Sequence, residues 1–552
     1  MTMLLEDVIR SIELWLRLLK KPQPQTYINP NLDPVLLVPG VGGSILNAVN
    51  TDGSQERVWV RFLSAEYKLK TKLWSRYDPS TGKTVTMDPK STIVVPEDRH
   101  GLHAIDVLDP DLVVGSEAVY YFHDMIVQMQ KWGYQEGKSL FGFGYDFRQS
   151  NRLQETMDRL ATKLELIYNA AGGKKINLIS HSMGGLLVKC FLSLHSDIFE
   201  KYVKNWIAIT APFQGAPGCA NSTLLNGMSF VEGWEQNFFI SKWSMHQLMP
   251  WFSKLLIEDC SMSQLIECPS IYELMACPNF HWQHIPVLEL WRERLHSDGK
   301  SHVILESYPP CDSVEILKQA LLNNKLNYDG EELPLPFNSE ILEWANKTQE
   351  ILSSAKLPSG VKFYNIYGTN LQTPHSICYG NADKPVSDLH ELRYLQPRFV
   401  CVDGDGTVPV ESAKADGFIA QERVGIPGEH RGILCEPHLF RILKHWLRAG
   451  DPDPFYNPVN DYVILPTAFE IESHTEKGIV VTSLKEEWEI ISNDQDGQSN
   501  TGDKMSLSSI SVSQEGANKS HSEAHATVFV HPGSDGKQHI ELNALSVSVD
   551  AS

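Results

Sequence analysis

The sequence predicts an α/β protein in which a parallel sheet carries helices on both faces, interrupted by one long insertion and followed by a C-terminal extension. Three observations predict it. Short apolar runs recur between residues 30 and 213 and again between 359 and 450, each ending in a turn containing Gly or Pro. Amphipathic helical stretches alternate with these runs, as strand–helix–strand units require. From about 214 to 358 the alternation stops, and an interruption of that length between strands of one sheet marks an inserted cap.

The elements follow in order. Residues 1–29 open with "MTMLLEDVIRSIELWLRLLKK", where Leu5, Val8, Ile9, Ile12, Trp15, Leu16 and Leu19 recur at helical spacing. Glu6, Asp7, Arg10, Glu13 and Arg17 interrupt the run, so the expectation is an amphipathic helix, with neither a signal peptide nor a transmembrane helix. "PVLLVPGVGGSI" is a buried strand broken by Pro-Gly and Gly-Gly. A helix around 120–132 precedes the strand in "EGKSLFGFGYDFRQS", and the apolar positions 153, 157, 160, 164 and 167 mark another helix. "KKINLISHSMGGLLVKCFLSL" and "NWIAITAPFQGAP" complete the first half of the core.

The insertion, 214–358, contains the aromatic and Met-rich "FVEGWEQNFFISKWSMHQLMPWF" and reads as a largely helical cap. Strands resume with "VKFYNIYG", "RFVCVDGDGTVP" and "QERVGIPGEHRG", and a helix over 436–447 ends the core at 450. The extension, 451–552, holds the alternating stretches "GIVVTSL", "ATVFVHP" and "HIELNALSVSV", the last two separated by "GSDGK" as in a hairpin. Residues 492–523, rich in Ser, Asn, Gln, Asp and Gly, are expected to be disordered.

Composition narrows the function classes. The 552 residues carry a formal net charge of -20, which disfavours a nucleic-acid partner, because that partner needs an extended basic surface. The 9 cysteines show no metal-ligand spacing, and the expected location is a reducing, cytoplasmic compartment, with the protein soluble or peripheral on a membrane.

Chemistry is written around Ser182. A serine hydroxyl needs a base to take its proton and donors to hold the developing oxyanion. "SHSMG" follows the strand run Ile176–Ile179 and opens a helix, which places Ser182 on a nucleophile elbow; Ser180 stands where the usual pattern has glycine. The acid and the histidine should follow in that order. Asp405, in the Gly-flanked turn after Phe399–Val402, is the candidate acid, with Asp403 its neighbouring alternative. His430, in the loop after "GIPGE", is the candidate base, with His438 in reserve. "DGDG" is no calcium loop, because Val408 and Lys414 stand where that loop needs glycine and a bidentate glutamate. The backbone amides of Met183 and Val41 are the expected oxyanion donors, Gly42 and Gly43 being alternatives to the second. This chemistry calls for no metal and no cofactor.

"PVLLVPGVGGS", "GYDFR", "ISHSMGG", "APFQGAP", "YNIYGTNLQTP", "DGDGTVP" and "GEH" resemble, in order, motifs of the lecithin:cholesterol acyltransferase-like family, closest to its plant cytosolic-type phospholipases and acyltransferases. The resemblance spans about 30–450. It implies an α/β-hydrolase fold with a cap, a triad at Ser182, Asp405 and His430, and oxyanion donors at Val41 and Met183. It further implies cleavage of a fatty acyl ester of a glycerophospholipid at a membrane surface, releasing free fatty acid and lysophospholipid. The alternatives are transfer of the acyl chain to a sterol or other lipid alcohol, and a non-catalytic lipid-binding protein on the same fold.

Overall fold

The computed structural model describes residues 28–59, 72–73, 75–111, 116–226, 266–295, 301–328, 331–450 and 458, and three strands beyond 505. Residues 1–27 of the expected N-terminal helix, the Met-rich stretch of the insertion and "GIVVTSL" lie outside these. The chain divides into two compact units, Met1–Phe440 and Arg441–Ser552.

In the first unit, six strands form one sheet: β1 (Val35–Val38), β2 (Leu140–Gly142), β3 (Ile176–His181), β4 (Val203–Ile209), β5 (Lys362–Thr369) and β6 (Glu422–Pro427). Their spatial order is β6-β5-β4-β3-β1-β2, and every neighbouring pair is parallel. Parallel strands covered on both faces read as continuous apolar runs, and β1 and β3 are buried at every position. Three helices matter most for the site: α1 (His123–Lys131), α2 (Gln154–Ala170) and α3 (Gly184–Leu194). Helix α2 buries Met157, Leu160, Leu164 and Ile167 along one stripe. It stops where Gly172 and Gly173 adopt left-handed backbone and the Gly173 amide donates back to the Tyr168 carbonyl at 2.8 Å. Helix α3 is buried from Gly184 to Leu192, so it needs no polar face.

The run "RFVCVDG" departs from the expected sheet rhythm. Strand Arg398–Gly404 belongs to a second, four-stranded sheet with Leu288–Leu295, Ser301–Tyr308 and Leu371–Tyr379. Arg398 and Val400 are exposed while their neighbours are half-buried, the alternation of a one-sided sheet and not the full burial of a central strand. The described part of 214–358 mixes helices Pro217–Asn226, Pro269–Glu273, Pro310–Leu321 and Ser339–Ser354 with antiparallel pairs at 288–308 and 325–334.

One buried carboxylate ties this insertion to the core. Glu273, fully buried, accepts hydrogen bonds from the backbone and side-chain amides of Asn151 at 2.9 and 2.7 Å, and from the hydroxyls of Ser150 and Thr348. Burial pushes its pKa up, while those donors pull it back. Apolar packing around Tyr272, Leu317, Phe337, Ile341, Ile377 and Tyr379 surrounds this anchor.

In the second unit, strands Ser506–Val512, Ser522–Pro532 and Gln538–Val549 form an antiparallel sheet, the last two as the expected hairpin. Strand 506–512 falls inside 492–523, where composition predicts disorder. Leu507, Ile510 and Val512 stand in register with Phe529, Ala526 and Ala524, a local β signal that a composition average over the whole stretch conceals.

Glu273→Leu leaves the Asn151 donors and the Ser150 hydroxyl buried without their acceptor. The expected loss is about 3 kcal/mol of unfolding free energy, measured from denaturant midpoints.

Candidate active site

All parts of the site gather where the strands of the central sheet end, the usual place for ligands on an open parallel sheet. Strand β3 runs directly into Ser182, whose φ of 55° lies in the left-handed region. That conformation costs an L-residue about 1–2 kcal/mol, and neighbouring contacts hold it there. The Ser182 amide donates to the Ile209 carbonyl at 2.9 Å, and the Gly185 amide donates to the Ser182 carbonyl at 2.8 Å. Three glycines around the turn leave no room for a Cβ. A Cβ on Gly184 would stand 2.3 Å from the Pro39 carbonyl oxygen, and one on Gly185 2.4 Å from the Ala211 methyl. A Cβ on Gly40 would stand 2.5 Å from Ser182 Cβ, so the loop after β1 lies directly on the serine.

Ser180 occupies the flank where glycine is usual, and its hydroxyl explains the departure. Trp206 Nε1 on β4, wholly buried, donates to Ser180 Oγ at 2.8 Å.

The histidine and the acid come from distant parts of the chain. His430 Nε2 lies 2.8 Å from Ser182 Oγ, and His430 Nδ1 lies 2.7 Å from Asp405 Oδ2. The buried Asp405 also accepts, at Oδ1, from the amides of Thr407 at 2.9 Å and Val408 at 2.7 Å. A carboxylate so occupied receives Nδ1–H from the imidazole and leaves Nε2 free to accept the serine proton. Asp405 reaches this place by a detour. The chain leaves β5 at Thr369, runs through the second sheet, and returns so that Asp405 bridges to Leu371. A Cβ on Gly368 in β5 would stand 2.4 Å from Asp405 Cβ. The His430 amide donates to the Asp405 carbonyl at 2.9 Å, which ties the two residues to each other by backbone as well as by side chain.

The alternatives separate cleanly. Asp403 turns to the Asn370 amide at 2.7 Å, and His438 is buried in helix Pro437–Trp446; the ring on Ser182 is that of His430. Met183 sits at the N-cap of α3, where the helix dipole favours negative charge. Val41 lies between two pinned peptide groups: the Gly40 amide donates to Tyr121 Oη at 2.8 Å, and Trp59 Nε1 donates to the Gly42 carbonyl at 2.7 Å. Among the described residues the backbone amides of Val41 and Met183 have no carbonyl acceptor. Sequence reasoning overlooked two members of the site, Tyr121 and His181. His181 stands inside the elbow motif itself, and its position beside the serine was the available signal. Tyr121 lies in "VYYFHD", a run with no motif to mark it.

Ser180→Ala removes the acceptor of the buried Trp206 N–H. We expect about 1–3 kcal/mol lower stability, seen as a reduced denaturant midpoint with an unchanged m-value.

Comparison with known proteins shows the family. The family described as lecithin:cholesterol acyltransferase matches residues 56–418. "Lecithin-cholesterol acyltransferase-like 4" of Arabidopsis thaliana is 63% identical over 100% of both chains. "Phospholipase A(1) LCAT3" of the same plant is 49% identical, over 75% of this chain and 90% of the relative. "Lysosomal phospholipase A and acyltransferase" of Homo sapiens is 22% identical, over 56% of this chain and 60% of its own length. With this parallel sheet, this elbow and these matches, the chain belongs to the lecithin:cholesterol acyltransferase family and carries its α/β-hydrolase fold.

Proposed function

We propose that the protein is a serine phospholipase A, which cleaves a fatty acyl ester of a glycerophospholipid through an acyl-enzyme on Ser182. The observation that carries this reading is the unbroken contact from Ser182 Oγ through His430 to Asp405, at 2.8 and 2.7 Å. The relative named phospholipase A(1), 49% identical to this chain, supports the substrate class.

The steps follow from the donors and acceptors. His430 Nε2 takes the Ser182 proton as Oγ attacks the ester carbonyl carbon. The carbonyl oxygen becomes an oxyanion facing the Val41 and Met183 amides, and the start of α3 adds its dipole. The bond to the glycerol oxygen breaks, and His430 returns its proton to that oxygen, releasing lysophospholipid. Water, deprotonated by the same imidazole, then attacks the acyl carbonyl carbon; the bond to Ser182 Oγ breaks, the imidazole returns the proton to Oγ, and the fatty acid leaves. Asp405 holds the imidazole in the Nδ1–H tautomer and stabilises its charged form. This path uses only side chains and backbone amides already present, with no metal and no cofactor.

A second reading replaces water by an alcohol, such as a sterol or another lipid, as acceptor of the acyl chain. It is favoured by the human relative, whose name carries both phospholipase A and acyltransferase activities. Both readings pass through the same acyl-enzyme and differ in which nucleophile reaches it. A non-catalytic lipid-binding role would leave the contact of serine, imidazole and carboxylate without purpose. The reading sets the reaction at a membrane surface, with the protein peripheral and cytoplasmic. Among the described residues no helix is long and apolar enough to cross a membrane.

Purified protein is incubated with a phospholipid labelled differently on its two acyl chains, with and without a sterol. We expect labelled free fatty acid and the complementary lysophospholipid; label found only in intact phospholipid contradicts the proposal. Ser182→Ala abolishes release while thermal unfolding stays cooperative, and Asp405→Asn lowers kcat by about 10⁴-fold, as in other serine triads. In a pH series, log kcat/KM falls with unit slope on the acid side as the imidazole takes up a proton. A rate that stays flat down to pH 4 is incompatible with a histidine base.

A further inference from the structure

Behind the triad lies a second chain of polar contacts that the mechanism above does not use. Tyr121 Oη lies 2.6 Å from His181 Nδ1, and His181 Nε2 lies 2.9 Å from the carbonyl oxygen of His430. At its other end Tyr121 Oη receives the Gly40 amide at 2.8 Å. His181 is 1% exposed and Tyr121 6%, so water does not compete for these groups.

The two ends fix every proton between them. The carbonyl of His430 can only accept, so His181 Nε2 carries a hydrogen and donates it. Neutral imidazole then has a bare Nδ1, which accepts from the Tyr121 hydroxyl. The hydroxyl oxygen keeps its lone pairs for the Gly40 N–H. Burial, and then the neighbouring His430 ring, hold the His181 pKa well below the ordinary histidine range, in keeping with this neutral tautomer. The chain therefore runs without a break from the amide of Gly40 to the carbonyl of His430.

Both ends carry parts of the site. Gly40 touches Ser182 and precedes Val41, whose amide is a proposed oxyanion donor. The Tyr121 ring packs closely against this loop: a Cβ on Gly43 would stand 2.5 Å from Tyr121 Cζ. His430 is the proposed base. We infer that Tyr121 and His181 are positioning residues that lock the oxyanion loop and the general base into one geometry on either side of Ser182. The inference rests on the serine-esterase reading and adds two residues to it. Reacting groups misplaced by about 1 Å lose on the order of a hundredfold in rate, so a relay that fixes both sides acts on the chemical step more than on binding.

Four variants test it. Tyr121→Phe keeps the ring and deletes the hydroxyl. His181→Asn keeps an acceptor for Tyr121 but cannot reach the His430 carbonyl, whereas the longer amide of His181→Gln offers both a donor near the original Nε2 and a carbonyl oxygen for the Tyr121 hydroxyl. The fourth is the double variant Tyr121→Phe with His181→Asn. Turnover of a p-nitrophenyl ester and the second-order rate of reaction with an alkyl fluorophosphonate are measured on the full chain, after thermal midpoints have shown which variants fold. We expect Tyr121→Phe and His181→Asn each to lower kcat and the fluorophosphonate rate about tenfold or more, with KM within about twofold of wild type. His181→Gln retains more activity than His181→Asn. The double variant loses no more than the worse single one, because one broken link already opens the chain.

Variants as fast as the wild type, a loss confined to KM, or losses that multiply in the double variant overturn the relay and leave the serine-esterase reading standing. Should Tyr121→Phe fail to fold, the comparison of Gln with Asn at 181 decides alone. Equal rates for those two overturn the inference. A wild-type enzyme that does not react with the fluorophosphonate overturns the esterase reading itself, and the relay falls with it.

Discussion

The site depends on the close approach of three backbone segments around a single strained residue. Ser182 is held at a φ of 55° by the Ile209 carbonyl on one side and by the start of α3 on the other. The turn closes because glycine occupies each point where a side chain would collide with it: Gly40 against Ser182 itself, Gly184 against the Pro39 carbonyl, and Gly185 against Ala211. A strain of about 1–2 kcal/mol persists only when its surroundings leave no alternative, and here those surroundings are the buried end of β4, the loop after β1 and the start of α3. The placement of Oγ beside the His430 ring and the nearness of the loop after β1 both follow from this packing.

A second constraint operates at long range. The histidine follows the last strand of the sheet and the acid returns from an excursion through a separate sheet, yet the two are bonded by both backbone and side chain. Gly368 admits the returning turn, and the amides of Thr407 and Val408 fix the carboxylate within it. The insertion is coupled to the same framework through Glu273, whose four hydrogen-bond donors come from the loop after β2 and from helix 339–354. A buried carboxylate is a weak source of net stability but a strict one in geometry, because each donor left behind becomes a penalty.

Much of this could be read from residue types alone. The apolar run at 35–38 and the apolar residues 176, 178 and 179 announced central strands, and the spacing at 153, 157, 160, 164 and 167 announced α2. Ser182, Asp405 and His430, now in mutual contact, could be selected by chain order and turn chemistry. Other features stayed hidden for physical reasons. The assignment of 398–404 to a second sheet rests on which side chains face solvent, which an apolar run does not specify. Ser180 looked like an imperfect glycine until its partner Trp206 came into view, 26 positions along the chain. Tyr121 and His181 matter through contacts separated by 60 and 249 positions, and no local periodicity encodes such pairs.

The central claim is that the acyl group passes through covalent attachment to Ser182. Acid quenching of the enzyme during turnover of a phospholipid, followed by proteolysis and mass spectrometry, tests it directly. The account predicts a peptide spanning Ser182 heavier by one fatty acyl residue, with the mass disappearing as substrate is exhausted. Turnover with that peptide unmodified at every quench time, or an acyl adduct on a different residue, contradicts it.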